Sequence, residues 1–441
     1  MRAFGRAGLL LLAALPAAAT DLLTAYHEAL AHDTLYLSAA AAAAADKKEV
    51  PKAVAGLLPA LGFTGSASRN DTESSVKDAR GAETTSRLYY YSESYALSLR
   101  QPLYRKQSWA QFRGAQALAS RADESFKQEA QARGLRVAVA YFDALLSGTQ
   151  LQMLSAKKRT FERTLEMTQK ALQTGAGTVI DVYDVQARRD LAAASEIEAE
   201  NILQNALMAL QALMSSPPGA LATIDVTRLP SIEANGRVED WLLRAEAFNP
   251  SLAALRSELD AAVQEVEKAK SGHYPALDLM LSHRRSSNEL DYSLNRGVRT
   301  SLVGLQLSVP IFSGGFVYAA RTQAALRAER VRLRLEAGRS EVGLSVRREF
   351  GGMRQNAAKV AAYGRALASI EQALLGTEKG VVAGTRTTID VLNAQDQVFR
   401  TKTELAHASF QFALSYLKLQ EAAGGRDEAA MKTVNSWLLA N

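Results

Sequence analysis

Residues 381–399, VVAGTRTTIDVLNAQDQVF, place a glycine-bearing turn inside a long run of helix-forming residues. The stretch LQTGAGTVIDVYDVQARRD, residues 172–190, repeats this pattern in the first half of the chain. Proline is absent after Pro310 and from a similar interval of the first half. Because proline breaks helices, both intervals permit very long helices. Each turn is therefore predicted to be the tip of an antiparallel helical hairpin, at about residues 174–181 and 383–390.

The two halves of the chain share further motifs in the same order. LLPALGF, LSLRQPLY and IDVYDVQ in the first half resemble HYPALDL, LQLSVPIF and IDVLNAQ in the second. Self-similarity of this kind indicates an internal duplication. We predict a first repeat over residues 20–230 and a second over residues 231–424, followed by a tail, residues 425–441, without a readable signal.

Each repeat also contains a predicted strand pair, at about residues 60–100 and 276–309, in which apolar and polar residues alternate. Period two over about ten residues matches transmembrane β-strands. The same alternation fits a soluble hairpin packed on the helices. Tyr89, Tyr90 and Tyr91 favour the membrane, because outer-membrane barrels carry aromatic girdles at their interfaces. We therefore predict these tyrosines to be membrane-interface aromatics.

Four strands in one chain cannot close a barrel, and unpaired strand edges cannot face lipid. If the strands insert, the chain must oligomerise. Two copies would give eight strands, whose interior is filled by side chains, whereas three copies give twelve strands and room for a passage. Three copies form the smallest assembly with an open interior.

The proline-free blocks predict helices of about 70 residues, which at 1.5 Å per residue reach about 105 Å. After the second turn, apolar residues recur every seven positions, at Val391, Val398, Leu405, Phe412 and Leu419. Seven-residue spacing is typical of coiled coils, whereas an ordinary amphipathic helix follows a period of 3.6. The predicted fold class is mainly α with membrane β.

The N-terminus has the features of an export signal. Two arginines precede the apolar run AGLLLLAALP, and small residues at positions 17 and 19 precede Thr20. The run is far shorter than the roughly 20 residues that a membrane helix needs. Residues 1–19 are therefore predicted to be a cleaved signal peptide.

Composition argues against several classes of function. The chain has no cysteine, which excludes disulfides and thiolate metal sites. Its histidines are not spaced like zinc ligands, and no GxxxxGK[ST] loop is present. The formal charge is +6, but no Lys/Arg block is interleaved with aromatics as in nucleic-acid binders. We therefore predict a protein that is not an enzyme and binds no metal, cofactor or nucleic acid.

The order of signal peptide, duplicated strand pair and long helical hairpin resembles the TolC-type outer-membrane channel family over essentially the whole mature chain. AGTRTTIDVLNAQ is similar to the second-half turn of that family, GHYPALDL to the entry into its second strand pair and VPIFSGG to the exit. LRQPLYRKQSW resembles the first-half exit. These motifs are specific in combination.

The resemblance implies a homotrimer in the outer membrane of a Gram-negative cell that reaches into the periplasm. Its strands would close as a 12-stranded β-barrel, continued by an α-helical barrel whose closed end lies at the helical tips. The implied function is a passive exit duct for tripartite export, either type I protein secretion or multidrug efflux. The implied partners are outer-membrane lipid, a periplasmic adaptor at the tips and an inner-membrane pump, ABC or proton-driven.

Three positions match the gate region of the family, and two depart from it. Asp390 aligns with a carboxylate of the constriction, so three copies would form an acidic ring that favours cations. Arg386 aligns with a basic residue whose links hold the tips shut, and Asp181 with an acidic member of those links. Asn393 stands where the family's secretion member has a second ring carboxylate. Val381 stands where that member has a tyrosine that partners the equivalent of Asp181.

The resemblance also implies that the turns bind the adaptor. The predicted contact residues are Gly175, Ala176, Gly177 and Thr178 in the first turn and Gly384, Thr385, Arg386 and Thr387 in the second. Structural roles remain open for the charged residues. Asp390 and Asp181 can be helix-start residues favoured by the macrodipole, and Arg386 can be a solvated turn residue.

A different class of function also remains open. A periplasm-spanning coiled-coil scaffold or adhesin would use the same helices without conduction, but it would not need paired strand hairpins. Within the channel class, the match at GTRTTIDVL and the lack of a cysteine for a lipid anchor favour the protein-secreting branch.

Overall fold

The predicted signal peptide lies outside the residues that the computed structural model describes. The described residues are 20–77, 79–230, 236–288, 296–425 and 427–439.

Helices form most of the described chain, which confirms the predicted mainly helical class. The helices are α1 (Leu22–His32), α2 (Thr34–Asp46), α3 (Glu49–Ala55), α4 (Lys106–Gln173), α5 (Val179–Met214), α6 (Val238–Phe248), α7 (Pro250–Lys270), α8 (Phe316–Val382), α9 (Thr388–Ala422) and α10 (Asp427–Asn435). The longest, α4 and α8, have 68 and 67 residues, about 100 Å each at 1.5 Å per residue. No helix in the described ranges combines the length and apolar composition required to cross a membrane.

The strands form one larger and one small antiparallel sheet. They are β1 (Ala60–Lys77), β2 (Glu83–Arg105), β3 (Thr223–Ile224), β4 (Ala276–Asn288), β5 (Arg296–Ser308) and β6 (Leu438–Leu439). The larger sheet has the order β1-β2-β4-β5, and β3 pairs with β6. The central β2–β4 pair joins the two predicted strand hairpins, whose sequences lie far apart in the chain.

Side chains of the larger sheet alternate between an apolar and a polar face. One rung of the apolar face aligns Leu61, Leu99, Leu281 and Val303 across the four strands. Val303 is 75% exposed and Phe63, on the same face, 70%. These apolar side chains are exposed, whereas the soluble packed hairpin that the sequence left open would bury them.

The chain divides into two compact units. The helical unit comprises Met1–Ala41, Phe126–Leu252 and Gly338–Asn441, and the sheet unit comprises Ala42–Ser125 and Ala253–Ala337. Each unit takes residues from both halves of the sequence, so the units do not follow the repeats. The predicted repeat boundaries stay a prediction.

The core of the helical unit is built around aromatic side chains of α4 and α9, among them Tyr141 and Phe412. The Tyr141 hydroxyl donates to the carbonyl oxygen of Thr20 at 3.0 Å and accepts from the N–H of Ala222 at 3.1 Å. Burial raises the pKa of Tyr141, so the hydroxyl stays protonated. The chain entering α1 is thereby fixed to α4.

The C-terminal tail belongs to this core, although its sequence carries no readable signal. The Trp437 ring lies 5.6 Å from that of Phe412 and 5.1 Å from that of Tyr416, between centroids. The Asn435 amide donates to the Asp21 carboxylate at 2.8 Å. The tail therefore fastens the end of α9 to the start of α1.

Candidate functional site at the helical tips

Two turns with the same backbone geometry connect the long helices. In the first, Gly175 has a φ of 76°, and the N–H of Ala176 donates to the carbonyl oxygen five residues earlier at 2.9 Å. In the second, Gly384 has a φ of 74°, and Thr385 makes the same bond at 2.9 Å. A positive φ favours glycine, and these bonds satisfy carbonyl groups that a helix end leaves free. The two predicted tips thus have the same backbone conformation although their side chains differ.

Each returning helix begins with a capping box, formed by Thr178 and Asp181 in α5 and by Thr387 and Asp390 in α9. The Asp390 carboxylate accepts from the Thr387 N–H at 2.8 Å and from the Thr387 hydroxyl at 2.9 Å. The corresponding distances in the first turn are 3.1 and 2.7 Å. The helix-start role that the sequence left open is therefore observed for both aspartates.

These bonds also influence the charge of Asp390. Hydrogen bonds from the backbone and the hydroxyl of Thr387 lower the pKa of Asp390, and the Arg386 guanidinium adds to this effect. Asp390 is therefore ionised at neutral pH. Its place in a constriction ring stays a prediction, to which an ionised carboxylate is chemically suited.

Arg386 follows the second turn and folds back over the end of α8. Its N–H donates to the carbonyl oxygen of Gly380 at 3.2 Å. A β-carbon at Gly380 would lie 2.7 Å from Cγ of Arg386, so the fold-back needs the space that glycine leaves. Among the described residues, no carboxylate oxygen lies within 4 Å of the Arg386 guanidinium. The links predicted for Arg386 and Asp181, and the effect of Val381 on them, stay predictions.

A third group of residues joins the two helical hairpins. Lys157 of α4 pairs with Asp396 of α9 at 2.6 Å, and Arg188 of α5 donates to the amide oxygen of Asn393 at 3.0 Å. Arg188 also lies 3.8 Å from the Asp396 carboxylate. We call these four residues the seam cluster. Of the predicted gate residues, only Asn393 belongs to the seam cluster. Its amide oxygen holds the Arg188 guanidinium in place.

The seam cluster lies beside a small apolar core to which both hairpins contribute. This core consists of Phe161, Val185, Ala192 and Leu392. Sequence reasoning missed the charged members of the cluster. A signal was present, because Asp396 follows Asn393 by one helical turn and so shares its face of α9.

Helices α4, α5 and α9 also border a groove of about 380 Å³. Its apolar lining includes Met153, Leu154, Ile202 and Phe399. An apolar groove between helices is suited to receive a further helix.

The three predicted interface tyrosines do not share one face of the sheet. Tyr89 and Tyr91 lie opposite Asp71 and Arg69, on the same side as the apolar rungs, whereas Tyr90 projects to the other side. All three lie beyond the last rung at which described residues of β2 and β4 pair. Tyr95, which the sequence reasoning did not single out, lies closer to the apolar rungs.

Charge and packing are what the tips offer chemically. Asp390 is an ionised acceptor, and Arg386 is an exposed cation. Among the described residues, no group of three or more histidine, aspartate or glutamate side chains is arranged to hold a metal ion.

Comparison with known proteins gives a consistent assignment. The model of the outer membrane efflux protein family matches residues 25–216 and 241–425. The chain is 31% identical over 426 residues to the Proteases secretion protein PrtF of Dickeya chrysanthemi, which covers 96% of this chain and 92% of the relative. It is 30% identical over 423 residues to the Outer membrane protein TolC of Vibrio cholerae. This match covers 95% of this chain and 94% of the relative.

The fold agrees with that of a solved structure. The outer membrane protein VceC from Vibrio cholerae superposes with a TM-score of 0.74 over 92% of this chain and 96% of that chain, at 22% identity. Long capped helical hairpins and an antiparallel sheet with an exposed apolar face are thus combined as the resemblance predicted. The chain belongs to the outer membrane efflux protein family, the TolC-type channels of the Gram-negative outer membrane.

Proposed function

We propose that three copies of this chain form a gated exit duct in the outer membrane, through which cargo passes without chemistry. The observation that carries the proposal is the four-stranded sheet with an exposed apolar face, joined in one chain to two capped helical hairpins. Family membership supports it, since the family is one of outer-membrane transport proteins.

The edges of the sheet support the proposed trimer. Within the part of the chain that the structure describes, strands β1 and β5 each have a neighbour on one side only. Lipid cannot satisfy the free N–H and C=O groups of such edges, so they pair with the edges of other copies. Three copies supply twelve strands and enclose a passage.

The gate lies at the helical tips. Three copies of Asp390 form an acidic ring, and links through Arg386 and Asp181 hold the tips together. Asn393 adds no charge to this ring because its side-chain amide is neutral, and its amide oxygen accepts a hydrogen bond from Arg188. The ring is therefore less acidic than one with two carboxylates per chain.

An adaptor and a pump complete the system. A periplasmic adaptor contacts the turns, residues 175–178 and 384–387, and lays a helix into the groove between α4, α5 and α9. An inner-membrane pump supplies the energy, since the sequence contains no nucleotide-binding loop.

The cargo is a polypeptide exported by a type I system. Similarity to a relative that is named for protease secretion, over nearly the full length of both chains, favours this cargo. Small-molecule efflux is the second candidate, favoured by the description of the family as efflux proteins. A non-conducting scaffold or adhesin is disfavoured, since it would have no use for exposed apolar rungs such as Val303 and Leu305.

Single-channel conductance of the purified mature protein in planar bilayers tests the duct. We expect a small wild-type conductance that divalent cations block. Asp390→Ala should lose the block, and Arg386→Ser should raise the conductance. Lys379→Ser, which removes the same charge from the last turn of α8, is the matched control and should behave like wild type. Trimeric protein that conducts in none of these variants would reject the duct in favour of the scaffold.

A further inference from the structure

Two arginines face each other across neighbouring strands of the larger sheet. Arg285 of β4 lies directly opposite Arg299 of β5 and, on its other side, opposite Tyr95 of β2. Direct partners in antiparallel strands project from the same face, with Cβ atoms about 4.5 to 5.5 Å apart. We call Tyr95, Arg285 and Arg299 the arginine rung.

Within the described ranges, no acidic side chain compensates the charge of this rung. Both arginine side chains are exposed, and among the described residues no carboxylate oxygen lies within 4 Å of either guanidinium. Glu93, on the next rung toward the hairpin turns, lies opposite Ser287. Like charges directly opposite each other destabilise a sheet. An anion from outside the chain would remove this repulsion.

The arginine rung marks the end of the apolar face. The next two rungs toward the helix-joined strand ends are Leu97 with His283 and Ser301, and then Leu99 with Leu281 and Val303. In the other direction the same face carries Glu93 and Ser287. From the rung to Tyr104, which a bulge after Pro102 places opposite Leu277, this face extends over about ten residues of β2 with Gln101 as a polar member, the length of a tilted strand that crosses a bilayer. The rung therefore lies at a boundary between lipid and water.

We propose that the arginine rung binds a phosphate group of a glycolipid in the outer leaflet of the outer membrane. This inference rests on the proposed insertion of the sheet, in which the hairpin-turn ends of the strands face outward. Guanidinium groups bind phosphate oxygens through paired, charge-assisted hydrogen bonds. The acyl chains of the same lipid lie along the apolar rungs, and Tyr95 occupies the interface that aromatic side chains favour.

The chain provides a matched control. Arg284 is adjacent to Arg285 in β4 but projects from the polar face, where its Nε donates to the hydroxyl oxygen of Ser94 at 3.0 Å. Arg284→Gln and Arg285→Gln therefore remove the same charge from the same strand on opposite faces.

Binding of bisphosphorylated lipid A to the purified, detergent-solubilised trimer, measured by native mass spectrometry, tests the proposal. A basic side chain near an anionic membrane surface contributes about 1 kcal/mol, or about fivefold in affinity. Arg285→Gln and Arg299→Gln should each bind about fivefold more weakly, and the double variant about 25-fold more weakly. Arg284→Gln should bind like wild type.

Two further probes identify the source of the phosphate. Dephosphorylated lipid A should bind wild type as weakly as bisphosphorylated lipid A binds the double variant. Inorganic phosphate at millimolar concentration should not displace the lipid. Displacement by inorganic phosphate, without discrimination between the two lipids, would assign the rung to a free anion and overturn the lipid proposal.

Other outcomes also decide against the proposal. Equal binding of lipid A by wild type and the double variant would overturn it. If, in addition, the double variant dissociates to monomers, the partner of Arg299 is a carboxylate of the adjacent copy. Conductance separates this failure from failure of the proposed function. Protein that never inserts into bilayers counts against the duct, whereas conducting channels with unchanged lipid affinity count against the rung alone.

Discussion

The two ends of α9 are held by different forces. At its start, exposed groups of Thr387 and Asp390 form the capping box. At its end, Phe412 and Tyr416 pack against Trp437, which is 6% exposed. A cap contributes about 1 kcal/mol, whereas a buried aromatic side chain contributes about 3 to 5 kcal/mol. The turn and cap that precede the buried Leu392 can therefore rearrange at lower cost than the base of the same helix, a difference that suits the proposed gate.

The largest expected effect tests the base. Trp437→Ala should lower the free energy of unfolding by about 3 to 5 kcal/mol, because it removes a buried aromatic side chain and leaves a cavity. The urea midpoint of the detergent-solubilised protein, followed by helical circular dichroism, measures this. Leu439→Ala is the control in the same tail, since Leu439 is 38% exposed. Similar small losses in both variants would mean that the tail does not anchor α9.

A second prediction concerns Asp427, which begins α10 at the buried end. Burial raises the pKa of Asp427 to about 7, although the nearby Arg133 lowers it. The folded protein therefore favours the protonated form, so stability is greatest at low pH and falls as the pH rises toward 7. Three pKa units at 1.4 kcal/mol each give an upper limit of about 4 kcal/mol for this loss.

Asp427→Asn should therefore stabilise the protein at pH 8, with a gain that disappears as the pH falls to 4. Urea midpoints across this range measure the effect. Glu428→Gln is the control. The Lys432 ammonium lowers the pKa of Glu428, so removal of the Glu428 charge should bring no gain in stability. A less stable Asn variant at pH 8 would show that the attraction of Arg133 outweighs the cost of burial.

Sequence rules predict the tips better than the base for a physical reason. Turns and caps depend on residues a few positions apart, so the glycines and the helix-start role of Asp390 can be read locally. The strand pairs follow from period two in the same way. Trp437 and Phe412, or Arg188 and Asn393, meet only when distant segments pack. The docked tail and the seam cluster were for this reason missed.

A third prediction compares the two caps. Thr178→Ala and Thr387→Ala should each weaken the first turn of the following helix by about 1 kcal/mol, about fivefold in hydrogen exchange of its amides. Only Thr387→Ala should also weaken the divalent block of conductance. Without the Thr387 hydroxyl, the Asp390 carboxylate is no longer held in its position in the proposed ring. A block weakened equally in both variants would contradict a special role for the second tip.

The smallest expected change in stability concerns one pair of positions that differs between the turns. In the first turn, a β-carbon at Gly177 would lie 3.2 Å from the β-carbon of Ala171. In the second turn, Gly380 occupies the position of Ala171 and Arg386 the position of Gly177. The glycine and the larger residue have therefore exchanged places, and Gly380 makes room for Arg386. The two tips therefore reach the same backbone geometry with glycine at opposite positions of this pair. Only in the second tip does the glycine make room for a charged side chain.

Gly380→Ala tests this difference, because it removes the space that Arg386 occupies in the second tip. Alanine is favoured over glycine in a helix by about 1 kcal/mol, which offsets much of the contact with Cγ of Arg386, so stability should change by less than about 0.5 kcal/mol. The Arg386 side chain must nevertheless move, and conductance should rise as in Arg386→Ser. Ala171→Gly, at the matching position of the first tip, costs helix stability but should leave conductance unchanged. Unaltered conductance in Gly380→Ala, together with a rise in Arg386→Ser, would show that the charge of Arg386 closes the gate from more than one side-chain position.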